Sequence, residues 1–274
     1  SMKLYILTIP NSPRLENSEG TGTYQFWSKY VDTEIEVDHT PFPCWGRNEC
    51  LKRFYASNDE WCCIVDDDCT IHLNTGNVLG KFPIHLEAEY FLNNMEEILN
   101  KLPKDVALIS PMNGVRVATN IEQAEDVVHN NWCFRRAWDL GKIVFIRNMR
   151  KHMRKEFYQR TDLPYAEDAE WVYQHIKAGF WTGNIRNIVV RELGNSLLFP
   201  GDKNKENTKR LDDIETAKYR ILQLYPEFSL KNGVLQREKL IKKYLGHTKK
   251  QIVIPYTHKT TEFNERFDKL FAPK

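Results

Sequence analysis

Three consecutive aspartates, Asp66, Asp67 and Asp68, close an apolar run that begins at Trp61 (WCCIVDDDCTI). Carboxylates packed this closely repel one another unless a hard cation or a set of donors holds them, and Mg²⁺ and Mn²⁺ prefer such oxygen ligands. A second acidic pair, Glu167 and Asp168, follows Leu163-Pro164-Tyr165 and opens the stretch AEDAEWVYQHIKAG. Carboxylates there suit the positive end of a helix dipole, and they are also what a reaction needs when an attacking hydroxyl must lose its proton. Metal or nucleotide binding at the first group and proton transfer at the second are the chemistries these residues can do. The plain alternatives are a solvated aspartate turn and ordinary helix-start charge.

The elements that must position these groups alternate between strand and helix. Lys3 to Ile9 reads as a first strand, stopped at Pro10 and followed by a polar loop to Gly22. Helical spacing at Thr23 to Val31 leads to a second strand at Glu34 to Val37, and Gly46 to Ser57 is the helix that feeds the strand ending at the aspartates. Leu86 to Leu102 carries one apolar stripe and predicts a single long helix ended by Pro103, followed by a strand at Asp105 to Ile109. Strands are expected at Lys142 to Ile146 and Arg186 to Val190, and helices at Arg147 to Tyr158 and from about Ala166 to a stop at Gly179. Pro200 to Arg210 reads as an exposed loop or lid, with helices beyond it at Asp212 to Leu224 and Gln236 to Tyr244. The pattern predicts an α/β fold with a mixed, mainly parallel sheet flanked by helices, delivering the aspartates to the carboxyl end of a strand, where open α/β sheets bind ligands.

At 274 residues the chain can bury a sizeable core. Its net charge of +2 permits an anionic partner without requiring one. No run of about 18 apolar residues occurs and no signal-like segment opens the chain, so no membrane partner is expected and a soluble location is. Six cysteines without a C-x-x-C pair read as reduced thiols, and eight scattered histidines give no zinc-ligand spacing.

A first strand ending in a polar loop, a G-R-N helix start at Gly46-Arg47-Asn48, an apolar strand ending D-x-D, and a later E-D opening a helix that closes on Ala178-Gly179-Phe180 together resemble the GT-A nucleotide-sugar glycosyltransferases, over about Lys3 to Arg191. Within that class the three-aspartate form, the opening I-P-N-S-P-R and the segment LQLYPEFSLKNG look most like the TET-associated glycosyltransferases of bacteriophages, which attach sugars to hydroxymethylated pyrimidines in DNA. The resemblance implies a GT-A catalytic domain at 1–199, its nucleotide-sugar half at about 1–110 and its acceptor half at about 111–199, with a loop or lid and a mainly helical extension at 200–274. It also implies Mn²⁺ or Mg²⁺, a uridine diphosphate sugar as donor, a hydroxymethylated cytosine in DNA as leading acceptor with a polysaccharide, lipid or protein acceptor as the alternative, and a viral protein at work in a bacterial cytoplasm.

Carried onto this chain, the resemblance makes Asp68 the first metal ligand, with Asp66 on the metal, nucleoside or ribose and Asp67 able to serve either. Arg47 and Asn48 would face the donor, and the loop from Thr8 through Pro10 to Arg14 would cradle uracil and ribose. Asp168 is the expected base of an inverting reaction, with Glu167 able to take the same part. The family often adds a late histidine ligand; here Arg191-Glu192-Leu193-Gly194-Asn195 offers Glu192, Asn195 or water instead. For a DNA acceptor, Trp132, Arg135, Arg136, Arg150, Lys151 and Arg154 give the best interleaving of aromatic and basic residues, with core packing and a solvated face as their plain alternatives. IVDDDCT also fits the D-x-D-x-T pattern of haloacid dehalogenase-like phosphatases, with Asp66 as nucleophile and Asp68 as acid/base, although that motif usually ends the first strand. A non-catalytic binding module is the third reading.

Overall fold

The computed structural model describes residues 1–10, 12, 22–39, 43–73, 85–113, 131–138, 140–192, 203–246 and 249–255. Strands β1 (Lys3–Thr8), β2 (Asp32–Val37) and β3 (Trp61–Asp66) lie side by side and parallel, connected through helices α1 (Thr23–Trp27) and α2 (Pro43–Ala56). Pro43 sits in the first turn of α2, where its missing N–H leaves no hydrogen bond unmade, so the helix starts three residues before the expected Gly46. A two-residue turn at Asp67 and Asp68 leads from β3 into a short β4 (Cys69–Ile71).

The expected long helix is two, α3 (His85–Asn93) and α4 (Met95–Asn100), because Asn94 leaves helical geometry at φ −133° and ψ 22°. After α4 come β5 (Val106–Asn113), β6 (Asn131–Arg136), β7 (Ile143–Arg147), a short α5 (Met149–Met153), α6 (Glu167–Lys177) and β8 (Trp181–Glu192). The basic helix expected to reach Tyr158 stops at Arg154, which takes the left-handed conformation at φ 54°. Gly179 stands where α6 was expected to stop, at φ +87°. Helix α7 spans Lys203–Leu224, so much of the stretch expected as a loop or lid is helical. A hairpin of β9 (Ser229–Lys231) and β10 (Val234–Gln236), helix α8 (Glu238–Leu245) and β11 (Gln251–Pro255) follow.

Among the described residues the main sheet is nine-stranded, in the order β11-β6-β8-β5-β7-β3-β1-β2, with β4 added on β8. Along that path β2, β1, β3, β5, β8 and β11 point one way, and β7 and β6 the other. The mixed, mainly parallel sheet expected from the sequence is thus present. Its last strand comes from the C-terminal extension, which adds its own edge strand to the sheet.

Both faces of the sheet are covered, which explains the unbroken apolar character of β3. Trp61, Cys63 and Val65 face one core cluster with α3 and α4, while Cys62 and Ile64 face the other with Leu51 and Phe54 of α2 and Trp171 and Val172 of α6. Side chains alternate along a strand, so Asp66 falls on the face shared with α2 and α6. All six cysteines are free thiols in buried positions, as expected. No helix among the described residues is long and apolar enough to cross a membrane.

Candidate functional site

The three aspartates leave the sheet in different directions and meet different partners. Asp66 is joined to Arg47 of α2, whose Nη2 donates to Asp66 Oδ1 at 3.1 Å. The same guanidinium lies 3.7 Å from Glu167 Oε1 at the start of α6. One arginine therefore ties the end of β3 to the acidic pair, two segments about a hundred residues apart in the sequence. Burial raises the Asp66 pKa despite Arg47 and Lys142, and burial followed by the neighbouring Asp168 raises that of Glu167. Arg47 is itself pushed up, since Asp66, Asp168 and Glu167 outweigh its desolvation.

The approach of α2 that carries Arg47 depends on Gly46. Its N–H donates to Asp38 Oδ2 at 2.9 Å, and a Cβ at this position would stand 3.0 Å from that oxygen. Asp38 in turn donates its N–H to Thr8 O at 2.8 Å, which ties the helix start to the ends of β1 and β2.

Asp67 turns inward. Its Oδ2 accepts from Thr8 Oγ1 at 2.7 Å and Ser12 Oγ at 2.6 Å, and its carbonyl accepts from Thr23 Oγ1 at 2.6 Å. Trp27 Nε1 donates to Cys69 O at 2.9 Å and pins the other side of the turn. Asp67 and Thr8, expected to face a donor, are engaged with each other because a buried carboxylate needs donors and the β1 loop supplies them. Pro10 is exposed beside them, and Arg14 lies outside the described residues.

Asp68 is almost wholly buried. Its Oδ1 accepts from Cys69 Sγ at 3.1 Å, and its Oδ2 lies 3.7 Å from Lys142 Nζ. Lys142 also reaches Glu192 Oε2 at 3.4 Å, at the end of β8, where Glu192 pairs with Cys69 in the β4–β8 register. Lys142 was not singled out by the sequence. It stands just before β7, its carbonyl accepting the Asp66 N–H at 3.1 Å. Burial lowers its pKa, but Asp68, Cys69 and Glu192 more than offset this.

Among the described residues no group of three metal-type side chains is assembled. Asp68 and Glu192 nevertheless converge on one cation, the Lys142 ammonium. Mg²⁺-type sites need only one or two carboxylates when phosphate oxygens and water complete the shell, so this donor set fits a divalent ion. Asn195, the other expected late ligand, lies outside the described residues.

Asn48 does not face the site. Its Nδ2 donates to Gln159 O at 2.9 Å and its Oδ1 accepts from Gln159 N at 2.8 Å, so both ends of the amide hold the loop that leads to α6. Asp168 is exposed, its Oδ1 accepting the Ala169 N–H at 2.7 Å. Trp132 is buried against Tyr90 and Phe91 in the core and offers no platform for a base.

The basic residues lie at the wrong end of the sheet. Strand β7 runs antiparallel to β3, pairing Val65 with Ile143 and Trp61 with Arg147, so Arg147, two residues before α5, lies about 17 Å from the aspartates, five strand steps of ~3.3 Å each. There Arg150 Nη1 donates to Tyr55 O at 3.1 Å, Lys151 Nζ donates to Asn58 O, and Arg154 is exposed. Arg135 and Arg136 pair with Asn184 and Gly183, near the start of β8, whereas Glu192 ends that strand at the aspartates. Grouping these residues by sequence hid the strand reversal that carries them away.

No protein-family model matches this sequence, and no curated protein matches it. Among solved structures, A197 from STIV is similar at 10% identity and a TM-score of 0.42, over 71% of this chain and 86% of that one. TarS 1–349 from S. aureus is similar at 15% identity and a TM-score of 0.41, over 69% of this chain; the match spans 59% of the TarS fragment. A Drosophila β1,4-galactosyltransferase 7, solved with manganese, UDP-Gal and xylobiose, is similar at 14% identity and a TM-score of 0.36, over 76% of this chain and 80% of that one. Likenesses this distant leave the functional assignment to the geometry of the chain itself.

Proposed function

We propose that the chain is a metal-dependent glycosyltransferase of the GT-A type, moving a sugar from a uridine diphosphate sugar to a hydroxyl acceptor. The observation that carries this reading is the bridge through Arg47, which brings the D-x-D end of β3 and the E-D start of α6 into one site. A divalent cation, when bound, neutralises charge that grows on the diphosphate as the glycosidic bond breaks. Asp68 and Glu192 would hold it, with Asp66 at the same strand end.

Arg47 keeps Asp66 and Glu167 together while leaving each carboxylate edge oriented. Asp168, exposed at the first turn of α6, is where an acceptor hydroxyl can reach, and it takes that proton in an inverting reaction. Glu167, half-buried and with its pKa raised by burial and by Asp168, orients the acceptor or shares the base role.

A hydroxymethylated pyrimidine in DNA is the acceptor to test first, on the strength of the motif resemblance. Its phosphates would be met by groups other than Arg150, Lys151 and Arg154. The test incubates the protein and Mn²⁺ with several nucleotide sugars and either hydroxymethylcytosine DNA or unmodified DNA, reading the mass of the nucleosides and the release of uridine diphosphate. Mass gain on hydroxymethylcytosine alone, lost in Asp68→Asn, is the expected result. Absence of nucleotide-sugar turnover with any acceptor, together with hydrolysis of a simple phosphate ester, would overturn the reading in favour of a phosphatase.

A further inference from the structure

We propose that Lys142 is an exchangeable counter-ion, holding Asp68 and Glu192 while no divalent cation is bound and turning onto the donor diphosphate when one takes its place. The proposal rests on the glycosyltransferase reading above and concerns a residue that reading does not use. A carboxylate buried as deeply as Asp68, whose side chain is 3% exposed, must be neutralised by a partner. The Lys142 ammonium, 3.7 Å from Asp68 and 3.4 Å from Glu192, serves both acids at once.

The main chain of Lys142 is fixed by its hydrogen bond from Asp66, whereas its side chain is 41% exposed on a flexible four-carbon stem. The ammonium can swing without disturbing the strand. A divalent ion between Asp68 and Glu192 would stand within a few ångströms of that ammonium, and two cations this close repel. The diphosphate brought in by the donor is the new anion within reach. Lys142 thus competes with the metal for carboxylates before the donor arrives and supports the metal afterwards. The two ligands are then coupled, each binding more tightly in the presence of the other, by equal factors.

The test measures Mn²⁺ binding by the intensity of the free-ion electron paramagnetic resonance signal, with and without uridine diphosphate, in wild type, Lys142→Met and Lys142→Arg. Thermal melting confirms that each variant is folded. Lys142→Met is expected to bind Mn²⁺ alone about tenfold more tightly than wild type, because the competing ion pairs to the buried Asp68 and the half-exposed Glu192 are removed. It is also expected to lose about tenfold of the coupling between Mn²⁺ and uridine diphosphate, while Lys142→Arg behaves like wild type. If wild type binds both ligands and Lys142→Met shows unchanged Mn²⁺ affinity or unchanged coupling, the counter-ion role is wrong and the glycosyltransferase reading survives. If no form of the protein binds Mn²⁺ or the nucleotide, both fall together.

Discussion

His175 makes this fold sensitive to mild acid, and the size of the effect can be worked out. It sits on α6 with no exposed surface, its ring 4.2 Å from that of Phe157 and 4.9 Å from that of Trp171. Nδ1 donates to Trp171 O at 2.7 Å, and Nε2 is buried without a hydrogen-bond partner. Burial, only partly opposed by that carbonyl, lowers the pKa from 6.5 to about 4. Between these values the unfolded chain binds a proton that the native state refuses, so stability falls as pH falls. The contribution is fully present above pH 6.5 and lost by about pH 4. Over the whole window it amounts to about 3 kcal/mol, and at pH 5 about 2 kcal/mol has gone. Phe at this position keeps the ring packing and cannot titrate. Urea unfolding of wild type and His175→Phe at pH 7.5, 6 and 5 gives the difference directly, because the carboxylates titrate alike in both and cancel. Wild type should lose about 2 kcal/mol more than the variant between pH 7.5 and 5. Parallel pH curves, or an imidazole that titrates near 6.5 by NMR in the folded protein, would refute the argument.

Two further substitutions separate framework from site. Arg147 is completely buried over the Trp61 ring, its guanidinium serving the carbonyls of Leu99, Leu102, Pro103 and Val106, from the last turn of α4 to the start of β5; Arg147→Met should cost about 3–5 kcal/mol in urea unfolding, with Lys restoring only part. Asp67→Ala removes the carboxylate that the Thr8 and Ser12 hydroxyls share and should cost about 2 kcal/mol of stability by thermal or urea unfolding, whereas Asp66→Asn, at a half-exposed carboxylate, should cost less than half as much.

Much of this was legible because local pattern and tertiary role agree. The unbroken apolar run before Asp66 means a strand buried on both faces, and the acidic pair before an apolar-periodic stretch means a helix start; α6 indeed begins at Glu167. Most of what escaped depends on contacts between distant segments, with one exception. The Asn232-Gly233 turn, both residues at positive φ, forms the β9–β10 hairpin, a local signal that was present in the sequence and passed over. Strand β11 has no meaning until β6 offers an edge, and Lys142 has none until a turn and the end of β8 place Asp68 and Glu192 around it. Arg147 and Arg154 sit in the same basic stretch, yet one is core and the other exposed, a distinction set by where β7 ends.

Three adjacent aspartates first implied a cation because their mutual repulsion needs an answer. The turn after β3 provides one without any ion. Asp66 follows the strand alternation to Arg47, Asp67 folds back onto hydroxyls of the β1 loop, and Asp68 passes toward β8 and Lys142. Each carboxylate meets its own cation or donor set, so the charge is compensated within the chain. Under the counter-ion proposal, a metal at Asp68 would displace Lys142 once the site receives a ligand whose own negative charge can accept the ammonium. Under that proposal the triplet is less the seat of a resident ion than part of a site set to exchange one cation for another as a donor binds.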